Sequence, residues 1–294
     1  MGIHGRPTTT FSVALRPAIF RLGFLTLLFA SGAAAQKLAL LTPDSKDKSR
    51  SYAEAIADSL EGRFTILDPS MSITAFASAG SETPFNLTAE RAAGAGAAIG
   101  SDIFVLLRAE TLRRSAFGRP GYYESYAAIY VVSTRTGRLV LWKISTFEAS
   151  TAVKAELLLR QAVPVVANEI ADVIRTTLKA EVSEPLPPVL EEPLAENSKN
   201  FRAPIPYRRI KPEYTNEAAL YDVTATVEIV VDLDAKGTIQ HTQIVRWAGF
   251  GLDESVEKTV REMNWRPAER NGKTIPMRFL LRYNFKKPDK DKTD

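Results

Sequence analysis

Residues 223–231 alternate strictly between apolar and polar. Val223, Ala225, Val227, Ile229 and Val231 fall on one face, and Thr224, Thr226 and Glu228 on the other, which is the period of a half-buried strand. The turn sequence DLDAKG (232–237) follows, and residues 238–247 read as a returning strand. Leu252, Val256, Val260 and Met263 then recur at helical spacing, with Asp253 and Glu254 in the first turn, where negative charge suits the helix dipole. After Asn271-Gly272, a third strand puts Ile275, Met277, Phe279, Leu281, Tyr283 and Phe285 on one face and Arg278 and Arg282 on the other. One amphipathic helix on a three-stranded antiparallel sheet buries both apolar faces.

The first half alternates differently. Residues 37–42 (KLALLT) read as a short apolar strand, 51–60 (SYAEAIADSL) as a helix with Tyr52, Ala55, Ile56 and Leu60 on one face, and 64–67 as a second strand. Residues 88–99 read as a small-residue helix capped by Thr88, and 103–107 (IFVLL) as a buried strand. Residues 125–132 and 139–147 flank STRTGR (133–138), a hairpin signal with glycine at its turn. One long helix over 152–178, bent at Pro164, closes the region. The sum predicts an N-terminal α/β sandwich over 37–178.

Between the halves, residues 181–197 (EVSEPLPPVLEEPLAEN) carry four prolines and five glutamates without a base, the composition of an acidic, semi-extended linker, set at 179–200. The chain begins with a basic stretch holding Arg6, Arg16 and Arg21, an apolar run at 22–30 and the small-residue box SGAAA at 31–35. This is the pattern of a signal peptide over 1–35, cleaved after Ala35, and implies a periplasmic location. The alternative is an uncleaved inner-membrane anchor facing the periplasm, but a span takes about 20 apolar residues. Subtracting those three arginines lowers the net charge from +4 to +1, so the basic balance is leader chemistry and points to no nucleic-acid partner. Residues 288–294 form a charged tail.

Zero cysteines exclude disulfides and thiolate catalysis. With His4 in the leader, His241 is the one imidazole left, placed mid-strand where a solvated side chain is expected. No Ser-x-x-Lys, Gly-x-Ser-x-Gly or phosphate-loop motif occurs, so the expectation is a non-enzyme without metal or cofactor. Trp247 and Trp265 read as core plugs, and Asn86-Leu87-Thr88 as a glycosylation sequon better explained by Thr88 as a cap.

Order and spacing in "PEYTNEAAL" (212–220), "VTATVEIVVDLDAKGTI" (223–239) and "GFGLDESVEKTVREMNWRPAERNGKTIPMRFLLRYNF" (249–285) resemble the TonB C-terminal domain family over about 201–287. The most specific part is the helix followed by Trp265-Arg266-Pro267-Ala268, Asn-Gly and a long alternating strand. The family commonly has Tyr-Pro and then Glu-Gly ahead of the first strand, where this chain has Tyr214-Thr215 and Leu220-Tyr221-Asp222. "SYAEAIADSL", "AAGAGAAIGSDIFVLL" and "YAAIYVVSTRTGRLVLWK" resemble in layout the amino-terminal domain of TolB-type and related envelope lipoproteins.

The TonB resemblance implies a non-catalytic adaptor in the envelope of a Gram-negative bacterium that engages a partner protein, such as the periplasmic peptide of a TonB-dependent outer-membrane receptor. It fixes no oligomeric state and leaves a TonB-like dimer open. The second reading is a structural envelope protein that binds peptidoglycan or another envelope component through residues 37–178. The expected partner-binding edge is the last strand, with Ile275, Met277, Arg278, Leu280, Arg282 and Asn284, whose free side can take an extended peptide. Tyr207, Pro212 and Tyr214 form a second candidate, in the segment before the first strand.

Overall fold

The computed structural model describes residues 36–80, 82–183 and 200–287. The leader at 1–35, the core of the expected linker at 184–199 and the tail at 288–294 lie outside the described residues.

The first module runs β1 (Lys37–Leu41), α1 (Asp47–Leu60), β2 (Thr65–Ile66), α2 (Pro69–Ser78), α3 (Ala89–Ile99), β3 (Ile103–Ala116), β4 (Arg119–Ser133), β5 (Leu139–Ala149), α4 (Ala152–Gln161) and α5 (Val163–Ser183). Its sheet has the order β2-β1-β3-β4-β5, with β1 parallel to β2 and β3 and the remaining pairs antiparallel. One sheet face packs Leu38, Ile103, Val105 and Ile129 against Tyr52 and Ile56 of α1 and Ile170 and Ile174 of α5. Strands buried on both faces need continuous apolar runs, and IFVLL supplies one.

Thr88 caps α3 as expected, its Oγ1 accepting the Arg91 N–H at 3.2 Å. The single helix expected over 152–178 is two, α4 and α5, meeting at Ala162. Pro164 falls in the first turn of α5, where a missing N–H costs nothing. The expected linker starts later than its composition implied, because α5 continues through Glu181 to Ser183. The Glu181 carboxylate is buried, accepting from Thr136 Oγ1 at 2.8 Å and facing Arg135 Nε at 3.4 Å, so the β4–β5 turn pins the last turn of α5.

The second module comprises β6 (Phe201–Arg202), β7 (Ile205–Pro206), α6 (Asn216–Leu220), β8 (Ala225–Leu233), β9 (Ile239–Arg246), α7 (Leu252–Glu262), β10 (Trp265–Arg266), β11 (Ala268–Arg270), β12 (Lys273–Ile275) and β13 (Met277–Phe285). Its main sheet is antiparallel with the order β13-β8-β9. Leu252, Val256 and Val260 of α7 pack with Val227, Ile229 and Val231 in one core, and Phe279 and Leu281 pack against it. Trp247 and Trp265 are buried plugs, as read from the sequence.

One expectation fails here. The third strand does not run unbroken from Ile275, because Pro276 has no N–H to donate and ends the ladder. Ile275 pairs instead with Ala268 in the small β12-β11-β6 sheet, and β13 begins at Met277.

The modules share a core. The second face of the large sheet presents Phe104, Leu106, Ala128, Tyr130 and Val132, and this cluster is continuous with Trp247, Phe250 and the β8 row of the second module. Helices α2 and α3 cover the rest of that face through Phe76, Ala92 and Ala95.

Candidate functional site

The two outer strands of the small sheet meet different surroundings. Strand β13 pairs with β8 in register from Met277↔Leu233 to Phe285↔Ala225, and among the described residues it pairs with no second strand. Its backbone edge is therefore an open side of the sheet. Strand β9 ends against the first module: Thr88 bridges Arg246, and the Trp247 N–H donates to Leu87 O at 3.3 Å.

Asn86 completes this seam with its side chain. Its Nδ2 donates to Thr226 O at 2.8 Å and Trp247 O at 2.7 Å, and its Oδ1 accepts the Thr226 N–H at 3.0 Å. The amide thus acts as a piece of backbone joined to the start of β8. A residue legible in the sequence only as part of a sequon is a clamp between segments 140 residues apart.

Gly249, at φ +72°, permits the close approach of the modules, since a Cβ there would lie 2.3 Å from the Trp142 ring, and Gly137, at φ +65°, lets the β4–β5 turn meet the start of α3, since a Cβ there would lie 1.7 Å from Ala89 O. The Trp247 indole N–H donates to Gly137 O at 3.2 Å, and Trp142 packs on Phe250 with centroids 4.9 Å apart. Asp253 holds this loop from inside α7, its carboxylate accepting the N–H groups of Ala248 (2.9 Å) and Gly249 (2.9 Å). Burial pushes the Asp253 carboxyl up to about 7 despite those hydrogen bonds, with the Glu254 charge adding to the rise.

Tyr221 locks the other side. Its hydroxyl donates to Glu124 Oε1 at 2.6 Å, and Arg114 donates from Nε to Glu124 Oε2 at 2.6 Å while its guanidinium lies over the Tyr221 ring. Burial raises the Glu124 carboxyl, but hydrogen bonds from Tyr221, Arg114 and Thr146 outweigh it and hold the group below its ordinary value. The Leu220-Tyr221-Asp222 departure from the TonB pattern is thus a docking element of this chain.

The expected partner-binding residues divide. Arg278, Leu280, Arg282 and Asn284 lie on the β13 face away from α7, and Leu280 is 50% exposed. The arginines are not an unengaged cationic rim. Arg278 makes two bonds of 2.7 Å to the Asp232 carboxylate, and Arg282 reaches Glu228 at 2.7 Å. On β9, His241 Nδ1 lies 3.7 Å from Asp232 and Arg246 Nε 4.0 Å from Glu228, so each buried carboxylate of the central strand has a base on either side. Opposite charges on adjacent strands fix register, which is what these residues do within the chain.

Met277 is buried, and Ile275 belongs to the other small sheet. Pro212 is buried and Tyr214 half-buried, its hydroxyl donating to Ala218 O and Val223 O and its ring stacked on Phe285, so both shape the segment before β8. Tyr207 is exposed and lies under Arg266. Among the described residues no group of His, Asp or Glu has metal-site geometry, and no helix is long and apolar enough to cross a membrane.

Several solved structures match parts of this chain at low TM-scores. A hypothetical protein from Chlamydia trachomatis is 14% identical, covering 48% of this chain and 98% of its own, with a TM-score of 0.33. A lipoprotein from Neisseria meningitidis is 16% identical over 47% and 99%, with a TM-score of 0.32. The LpoB C-terminal domain from Salmonella enterica is 16% identical over 40% and 86%, with a TM-score of 0.25. No curated protein sequence matches the chain. Residues 210–286, from the segment before α6 through β13, match the family described as Gram-negative bacterial TonB protein C-terminal, and the second module is TonB-like.

Proposed function

We propose that this protein is a non-catalytic adaptor of the bacterial envelope, exported by its leader to the periplasm, whose TonB-like module takes an extended segment of a partner protein along β13. The observation that carries the reading is the asymmetry of the small sheet, in which β13 pairs with no second strand along its whole length among the described residues, while β9 is bridged to the first module at Arg246. Strand addition supplies main-chain hydrogen bonds, and Leu280, Arg282 and Asn284 flank the added strand to set its preference. A segment of a TonB-dependent outer-membrane receptor is the partner that the family match favours. The first module, a TolB-like scaffold in layout, acts as a rigid mount that presents this edge.

Photo-crosslinking in the native bacterium tests this reading. A photoreactive residue at position 280 or 282 should capture an envelope protein, whereas one at Glu156 on α4 should not. Equal capture from all three positions would sink the proposal.

A further inference from the structure

Where the two modules meet, a cavity of about 240 Å³ opens between the sheet of the first module and the segment leading into β8. Pockets for small molecules concentrate at such junctions and are mostly apolar with a few placed polar groups, and this volume lies just below their usual range. Aromatic rings supply the walls: Phe85 lies 5.4 Å from Tyr130, Tyr126 lies 4.6 Å from Tyr221, and Tyr221 lies 5.8 Å from Phe250. Ala128, paired with Arg108 across β3 and β4, is small enough to leave the hollow.

Arg108 interrupts an otherwise apolar face. Phe104 and Leu106 precede it on the same side of β3 and are buried, yet the Arg108 side chain lines the cavity and remains 45% exposed. Its partner Glu110 is shared, receiving Lys46 Nζ at 2.9 Å and the Tyr126 hydroxyl at 3.1 Å, with Arg108 more distant at 3.3 Å. Asp222, also on the cavity wall, is paired with Lys287. With Asp222 engaged by Lys287 and Glu110 shared with Lys46, Arg108 is the one cation among the described residues that line the cavity.

We infer that this cavity binds a small organic monoanion, an aryl or acyl carboxylate whose apolar body sits among the aromatic rings and whose carboxylate pairs with Arg108. The planar fork of arginine matches a carboxylate through two parallel hydrogen bonds, and the aromatic walls take the apolar body. Because Tyr221 and Phe250 come from the second module and Tyr126 and Tyr130 from the first, an occupant touches both modules.

The test titrates full-length protein with phenylacetate, indole-3-acetate and hexanoate, and with the neutral amide of each. Methyl signals of Ala128 and Ala225 report occupancy, and calorimetry reports affinity. At least one acid should saturably shift both methyls and bind about tenfold or more tightly than its amide. Arg108→Gln should abolish that preference, and Arg108→Lys, which keeps the charge and loses the fork, should fall between. Should the glutamine variant fail to fold, the lysine variant carries the comparison. No saturable shift with any acid, equal binding of acid and amide, or unchanged affinity in a folded variant would each overturn the site.

Discussion

The β9 and β13 edges belong to one three-stranded sheet and have met opposite fates. Strand β9 ends in a seam built from Asn86, Leu87 and Thr88, with Trp247 fully buried beyond it. Strand β13 keeps its outer side unpaired among the described residues and is blunted only by side chains on its face. An unpaired strand edge templates association with other chains, and on the proposed reading the first module, by bridging β9 at Arg246, favours β13 as the edge that takes an added strand.

The comparison breaks most readily at Trp247. If the seam is a shared core, Trp247→Ala should cost about 3–5 kcal/mol and lower the denaturant midpoint of both modules together, followed by near-UV circular dichroism and by amide exchange. A loss under about 1 kcal/mol, or melting confined to residues 201–287, would show that the modules merely touch.

Asp253 makes the seam sensitive to pH. Its folded-state carboxyl is raised above the ordinary value to about 7, so the folded protein holds this proton more tightly than the unfolded chain. The contribution is fully present below the unfolded value and is lost as pH rises through about 7. Glu110, Glu124, Glu156 and Glu257 are shifted the other way, and their contributions are lost only under more acidic conditions. Between about pH 5 and 7 stability should therefore fall as pH rises, with a slope approaching about 1.4 kcal/mol per unit. Asp253→Asn should flatten that slope in urea titrations, and a wild-type curve that climbs through this window would refute the assignment.

Asn86→Ala deletes two donated hydrogen bonds and one accepted one from the seam and leaves Thr226 N–H without its partner, at an expected cost of about 1–3 kcal/mol. Amide exchange at Thr226 should quicken more than at Leu280. Arg278→Ala should fall in a similar range, about 1.5–3 kcal/mol, because it strips two hydrogen bonds from a buried carboxylate. Alternation alone put Arg278 on a solvated face, where the same change would cost little.

That difference marks what was legible in the sequence. Period and punctuation gave strands at 223–231 and 238–247, which the structure sets at 225–233 and 239–246, and helix α7, the Thr88 cap and the β4–β5 hairpin, because each is a local pattern. The break at Pro276 was equally local and was overlooked because the apolar row continues through it. Helix α2 lacks a clear apolar stripe, and its signal was Asp68 as cap with Pro69 in the first turn. The polar stretches that extend β3 to Ala116 and start β4 at Arg119 carry no strand period at all. Of the site, alternation placed Leu280, Arg282 and Asn284 on one face. It could not show that Asn86 reaches β8 or that Tyr221 reaches Glu124, since those contacts join residues 140 and 97 positions apart.

The smallest effect is expected at Arg282, and it separates the two rows of charge on the open face. Its side chain is 61% exposed and reaches Glu228 at 2.7 Å, while Arg246 approaches the same carboxylate from β9 at 4.0 Å. Removing Arg282 therefore leaves Glu228 with a cation beside it, and an exposed partner contributes little on its own, so Arg282→Ala should cost under about 1 kcal/mol and less as salt rises. Arg246→Ala should likewise be tolerated while Arg282 remains. The double variant strands a buried carboxylate, and its cost should exceed the sum of the single costs by more than about 0.5 kcal/mol in a double-mutant cycle. Strict additivity would mean that the two arginines act independently. The open edge would then be set by backbone alone, without the flanking charges that hold β13 in register.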